Sequence, residues 1–295
     1  MNDYLLAAVL GIIEGLTEFL PVSSTAHLRI AQALLGVDLA NGYWKMFTIV
    51  IQLGAILCLP VYFRRRIAEF LGSFPKGRKG DRTWLTHPLS LVLIAFVVTA
   101  LPSLALVKII GKHLESLVVM GTSLVVGGVV MWVVDAAYGA PRPGRGVRSC
   151  RTQDMEEMTL PQAVWIGACQ VLSAVFPGTS RSMATIAGGQ VAGMTRASAL
   201  EFSFFLSMPT MAAATGYDLY KSVVPQEGGN PLGATHIDAH GWVLLAIGFV
   251  MSFVVAYASV AWFMRWVRTR GFAPFAAYRI LAGLAVLAWA LGWLG

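Results

Sequence analysis

The chain has 295 residues, 57% hydrophobic and 13% charged, with a mean hydropathy of +0.68 and a formal net charge of +7. A soluble domain carries about a quarter charged residues, so this composition excludes an ordinary water-soluble enzyme and points to an integral membrane protein. The basic residues cluster in short segments between apolar runs, which fits anchoring at an anionic membrane face better than nucleic-acid binding.

In chain order, the first apolar stretch, about 5–36, is interrupted. Asp3 and Glu14 stand where a cleavable signal peptide would need a basic end and an unbroken apolar run, so none of the usual kind is expected. Pro21 stops the first helix, and Ser23, Ser24, Thr25 and His27 follow. The segment reads as a re-entrant helix-loop-helix, since irregular backbone at membrane depth is tolerated only against protein or a watered cavity. Three spans come next, roughly 44–63, 89–107 and 117–136, each near the ~20 apolar residues that cross a bilayer. Arg64-Arg65-Arg66, directly after the first span, reads as a topology anchor. A basic linker, 137–160, mixes Arg142, Arg145, Arg148 and Arg151 with Pro141, Pro143, Gly144 and Gly146. A second interrupted segment, about 161–195, is re-entrant in the same way, and spans follow at roughly 201–220, 242–263 and 276–294. His236, Asp238 and His240 have metal-like spacing but no helical pattern or further ligands, so they read as solvated loop. Cys58, Cys150 and Cys169 imply no disulfide framework. The expected fold is an all-α polytopic membrane protein with six transmembrane helices and two re-entrant segments.

Charge and repetition organise these elements. Loops 64–88, 137–160 and 264–275 carry seven, four and three Lys/Arg, whereas the alternate loops 108–116 and 221–241 carry two and one. That bias puts the first group in the cytoplasm and both termini outside. Gly11, Glu14, Leu16, Thr17, Pro21 and Ser24 recur at an offset of 156 as Gly167, Gln170, Leu172, Ser173, Pro177 and Ser180, and Phe47-Thr48 echoes Phe202-Ser203. The expected organisation is therefore a first repeat, 1–136, a basic cytoplasmic linker, 137–160, and a second repeat, 161–295, inverted relative to the first. Such repeats bring their irregular polar segments together to form sites, so a joint site is expected.

Glu14 and Glu18, four residues apart, share one helix face. Either both acids stand in water at an interfacial helix end, or they bind a divalent cation or orient a neighbouring base. An N-cap would account for one hydroxyl of Ser23, Ser24 and Thr25, but not for three with a histidine. Either Ser24 attacks with His27 as base, or His27 itself takes a phosphoryl group; the sequence does not separate these. In the second copy, Gly178 allows close approach of backbone to a ligand. N–H groups entering a helix at Ser180 to Thr185 form an anion site, with Thr179, Ser180, Ser182 and Thr185 nearby. Arg181 adds a planar fork matched to phosphate, or pairs with Glu14 or Glu18 as structural glue. Arg29, Lys45, Arg196, Glu201 and Arg279, near segment ends, read as snorkelling or locally paired.

Glu14-Gly-Leu-Thr-Glu18-Phe-Leu-Pro-Val-Ser-Ser-Thr-Ala-His27 and Pro177-Gly-Thr-Ser-Arg-Ser-Met-Ala-Thr185 resemble the acidic and Pro-Gly-x-Ser-Arg-Ser-x-x-Thr motifs of bacterial undecaprenyl pyrophosphate phosphatases, the bacitracin-resistance proteins. The resemblance covers nearly the whole chain, including Val50-Ile-Gln52-Leu-Gly54 and Glu201-Phe-Ser-Phe; the linker 137–160 is less familiar. It implies a hydrolase of the bacterial cell (inner) membrane that acts on a phosphoanhydride bond. Undecaprenyl pyrophosphate would become undecaprenyl phosphate and inorganic phosphate, recycling the carrier for peptidoglycan, cell-wall biogenesis and cell shape, and conferring bacitracin resistance. It implies catalytic roles for Glu14, Glu18, Ser24, His27 and Arg181 and phosphate binding by Gly178, Thr179, Ser180, Arg181, Ser182 and Thr185. A divalent cation, Mg2+ or Ca2+, would be held by Glu14 and Glu18, in a site opening on the outer face. The implied partners are the isoprenoid pyrophosphate and membrane lipids, with no nucleic acid and with a homodimer among the assemblies left open.

The main alternative is a prenyl-phosphate lipid transporter or flippase, which shares the inverted-repeat plan but needs no activated nucleophile. The type-2 phosphatidic acid phosphatases pair Ser-Arg with a second histidine several residues on, and here none follows Arg181 before His236.

Overall fold

The computed structural model describes residues 2–37, 41–106, 116–139, 152–223 and 237–293. Linker residues 140–151, with their four arginines, and His236 lie outside the described residues. Among the described residues there are eleven α-helices and no β-strand. In chain order they are α1 (Asp3–Thr17), α2 (Ser24–Leu34), α3 (Gly42–Tyr62), α4 (Arg64–Ser73), α5 (Pro88–Ala105), α6 (Leu117–Tyr138), α7 (Leu160–Val175), α8 (Arg181–Val191), α9 (Arg196–Val223), α10 (Ala239–Thr269) and α11 (Ala273–Ala290). Each half of the sequence thus begins with two short helices around a break and continues with three long ones, the first half adding the short α4.

Five helices, α3, α5, α6, α10 and α11, are long and apolar enough to cross a bilayer, and the chain is a multi-pass membrane protein. The sixth expected span, α9, has 28 residues, about 42 Å at 1.5 Å per residue, but does not reach the same apolarity. The physical reason is its burial: Ser198, Ser203, Ser207 and Thr215 are enclosed by protein, so this helix need not be apolar all round. The paired helices α1 and α2 have 15 and 11 residues and α7 and α8 have 16 and 11, each short of a crossing, as the two interrupted segments led one to expect.

By packing, the chain forms two compact units, one of Met1–Phe19, Ser24–Tyr62 and Ser207–Ala261, the other of Leu20–Ser23, Phe63–Leu206 and Trp262–Gly295. Segments from both halves of the sequence enter each unit. In the first, Leu6, Ala7 and Leu10 of α1 pack with Leu28 of α2, Phe47 and Ile51 of α3, and Leu244 and Leu245 of α10. Backbones approach closely here: a Cβ on Gly11 would lie 2.5 Å from the Gly248 carbonyl oxygen, and one on Gly15 would lie 2.6 Å from that of Ser252. Small residues at such crossings are how membrane helices gain van der Waals contact without a hydrophobic drive between them. The crossing fixes the helix that carries Glu14.

In the second unit, Asp135 of α6 receives Arg196 Nε at 2.6 Å, Gln190 Nε2 at 3.3 Å and the Phe272 N–H at 2.9 Å. One carboxylate thus joins α6, α8, the start of α9 and the entrance to α11. Arg66 is not simply an anchor. Arg64 and Arg65 are exposed, but Arg66 pairs with Glu156 at 2.8 Å and Glu201 at 3.0 Å. Partial burial disfavours its charge and Glu201 more than compensates, so its pKa stands above the ordinary value.

Replacing Gly11 with Leu should cost about 1–3 kcal/mol through overpacking against backbone, read as a lower thermal midpoint of the detergent-purified protein. An unchanged midpoint would contradict the close crossing of α1 and α10.

Candidate functional site

The first break spans 18–23. Glu18 prolongs α1, its N–H donating to the Glu14 carbonyl at 2.9 Å, and Pro21 ends the continuation. Ser23 then takes φ +74° immediately before α2, and Ser180 takes φ +68° immediately before α8. A non-glycine residue in this region costs of order 1–3 kcal/mol and persists only where its surroundings enforce it. The backbone therefore matches Ser23 with Ser180, whereas the sequence offset pairs Ser24 with Ser180. The sequence register slips by one residue inside the second break, where Gly178 (φ +94°) supplies the extra turn. A Cβ there would lie 2.5 Å from the Met120 carbonyl oxygen.

Glu14 is 1% exposed and Glu18 8%. The Ser24 hydroxyl donates to Glu18 Oε2 at 2.5 Å, so a carboxylate acceptor is already in place for the serine proton. His27 lies one turn further along α2 and is half-buried. Glu14 and Glu18 offer a hard cation two carboxylates. Among the described residues no group of three or more His, Cys, Asp or Glu could hold a metal ion. A two-carboxylate donor set fits an ion that completes its shell with water and substrate phosphate oxygens, as Mg2+ commonly does, and does not fit an all-protein cage.

In the second break, Ser180 caps α8: its Oγ accepts from the Met183 N–H at 3.4 Å and lies 3.0 Å from Ser182 Oγ. Ser182, 1% exposed, donates to the Leu20 carbonyl at 3.0 Å. Its proton is thereby committed, which leaves Ser180 the donor of the pair. Thr185 hydrogen-bonds within α8, to the Arg181 carbonyl at 2.9 Å, and lies 2.7 Å from Ser203 Oγ on α9. Arg181 is half-buried at the first turn of α8. The Phe47-Thr48 and Phe202-Ser203 echo has a structural counterpart, because Thr48 on α3 accepts from Gln32 on α2 at 3.2 Å. In each half, a hydroxyl on the first long helix bonds a polar side chain on the helix that follows the break.

Sequence reasoning missed the residue that organises these turns. Arg279 of α11 is not a snorkelling or ion-paired residue; it is 0% exposed. Its Nη1 donates to the Pro21 carbonyl at 3.0 Å, and its Nη2 to those of Gly178 at 3.0 Å, Thr179 at 2.9 Å and Ser123 at 3.2 Å. One guanidinium thus satisfies carbonyls of both breaks. The available signal was a lone arginine inside an apolar span, an expensive placement that marks function by default. Of the other charged residues read as locally paired, Arg196 bonds Asp135 and Glu201 bonds Arg66. His240 lies 3.3 Å from Asp3 Oδ2.

A model of the family described as bacitracin resistance protein BacA matches residues 7–285. The chain is 65% identical over 292 residues to a protein of Koribacter versatilis named undecaprenyl-diphosphatase, covering 99% of each. It is 42% identical over 286 residues to undecaprenyl-diphosphatase 2 of Rhodospirillum rubrum, covering 96% of this chain and 93% of that one. It is also 37% identical over 281 residues to an undecaprenyl-diphosphatase of Caldanaerobacter subterraneus, covering 95% and 94%.

Replacing Arg279 with Met should destabilise the protein by about 3 kcal/mol or more, since charged hydrogen bonds contribute about 1.5–3 kcal/mol each and their carbonyls would be left buried. Lysine should rescue little, because an ammonium lacks the planar fork that spans four acceptors. Thermal unfolding of the two variants checks both statements, and a Lys variant as stable as the parent would contradict them.

Proposed function

The chain belongs to the bacitracin resistance protein BacA family, and from that premise we propose that its two polar motifs act together on the head of one isoprenyl diphosphate. The enzyme is an undecaprenyl-diphosphate phosphatase of the membrane. It cleaves the phosphoanhydride bond of undecaprenyl diphosphate to give undecaprenyl phosphate and inorganic phosphate, which returns the lipid carrier to peptidoglycan synthesis. The observation that carries this reading is the 65% identity, over nearly the full length, to a relative named for that activity.

The hydrogen bond from Ser24 to Glu18 supports Ser24 as the nucleophile. Its oxygen attacks the terminal phosphorus while its proton passes to Glu18, and the bond to the bridging oxygen breaks, releasing the lipid monophosphate. Water then hydrolyses the phosphoserine, and Glu18, on giving up its proton, is ready for another turnover. His27, one turn from Ser24, orients the terminal phosphate or the incoming water.

In the second motif, helix geometry gives the N–H groups of Arg181 and Ser182 no intrahelical acceptor, and with the helix dipole they suit an anion. Arg181 neutralises charge that develops on the leaving phosphate. Gly178 and Thr179 shape the turn with their carbonyls drawn onto Arg279. Ser180, Ser182 and Thr185 brace it through their hydroxyl hydrogen bonds, placing the turn against the phosphate. Glu14 and Glu18 would hold a divalent cation, Mg2+ or Ca2+, which when bound neutralises phosphate oxygens. The charge bias of the loops supports basic loops in the cytoplasm and both termini outside, and the family resemblance implies a site opening on the outer face of the cell membrane.

Purified protein should release one phosphate per undecaprenyl diphosphate, lose that activity to a chelator, and regain it with Mg2+ or Ca2+. Ser24→Ala and Arg181→Ala should each lower turnover by about 100-fold or more with an unchanged thermal midpoint. Near-normal turnover in Arg181→Ala would sink the two-motif reading.

A further inference from the structure

A cavity of about 480 Å3 lies in the second unit, between α6, α7 and α8. Its floor is made of small buried side chains, Ala184 and Ala187 beside Gly188, and Trp165, 48% exposed, forms one wall. Its lining is apolar almost throughout, with its few hydroxyl residues gathered at one end. Thr122, Ser123 and Thr179 line one end, and there the carbonyls of Ser123 and Thr179 share Arg279 Nη2 at 3.2 and 2.9 Å. Val130, Val134 and Val191 line the other. From Ser123 to Val134 the groove follows α6 for about 16 Å. The polar end is thus part of the second break, and the apolar end runs away from it beside α8.

An apolar groove that begins beside the second break suits a hydrocarbon chain whose head group lies at that break. We propose that the groove holds the head-proximal part of the substrate's polyisoprenyl tail, with the diphosphate at the Thr179 end; this rests on the phosphatase reading above. A groove of about 16 Å takes only the first few isoprene units, and the remainder of the tail lies in the bilayer. Ordinary boundary lipid would meet a convex helix surface with no fixed head position. Here a concave floor starts at the residues assigned to phosphate binding.

The direct test is photolabelling of the purified wild-type protein with a farnesyl diphosphate analogue bearing a photoreactive group at the tail end. We expect labelled peptides to include Val130, Val134 or Val191, and the labelling to vanish with excess undecaprenyl diphosphate. Labelling elsewhere, or labelling that the competitor leaves intact as for boundary lipid, would overturn the proposal. As a second measurement, Ala187→Trp should raise the KM for farnesyl diphosphate about tenfold or more, the equivalent of losing roughly two buried methylenes. Val133→Trp, at an exposed position outside the groove on the same helix, should leave it within twofold; equal effects of the two would also overturn the proposal. A wild-type protein that released no phosphate from undecaprenyl diphosphate would refute the phosphatase reading, while competed labelling at these valines would still fix the tail.

Discussion

Interrupting a helix in low-dielectric surroundings leaves backbone carbonyls that no water can reach, and every other feature of the site depends on how they are satisfied. Here a single buried guanidinium takes on that task for two breaks at once. Arg279 reaches Pro21 in the first and Gly178 and Thr179 in the second, so two stretches 156 residues apart in sequence share one anchor. The left-handed serines that precede α2 and α8 would be costly in isolation. Held carbonyls on the residues just before them provide the enforcing surroundings that such conformations require.

The same arrangement prepares the chemistry. The carbonyls of Gly178 and Thr179 turn inward onto Arg279, at the turn that leads into α8, whose first residues we propose bind the phosphate. Ser182, bonded to the Leu20 carbonyl, ties that turn to the first break. Phosphoryl transfer needs little covalent help from a protein beyond positioning and charge stabilisation, and a site fixed by backbone bonds supplies both with little reorganisation. In the proposed mechanism one buried carboxylate, Glu18, would combine two roles, taking the Ser24 proton and lending an oxygen to a cation.

Much of this was legible in the sequence because the rules involved are local. Pro21 and Pro177 mark helix ends by their missing N–H, apolar runs mark spans, and an offset repeat marks the two breaks. Gly178 reads as a point where backbone approaches a ligand, and the close approach found there is to the Met120 backbone. Long-range facts were not legible. Arg279 lies 258 residues from Pro21, and nothing in its apolar neighbourhood says whether its side chain leaves for the interface or turns inward onto carbonyls. The polar face of α9 blurs its reading as a span, since Ser203 and Ser207 are compatible with the membrane interior only once partners cover them. The one-residue slip between Ser23 and Ser24 is likewise invisible, because a serine follows a serine and sequence cannot tell which carries the positive φ. Hydroxyls such as those of Ser182 and Thr185 look like ligands in a motif and are found bonded within the protein.

The central chemical claim is that a broken helix brings a serine hydroxyl under a buried carboxylate's control so that it attacks phosphorus. Rapid acid quench of the enzyme with undecaprenyl diphosphate radiolabelled in its terminal phosphate, followed by peptide mapping, tests it most directly. The account predicts transient label on Ser24, accumulating when the water step is slowed. Label on His27, or phosphate released with no labelled peptide at any quench time, would contradict it.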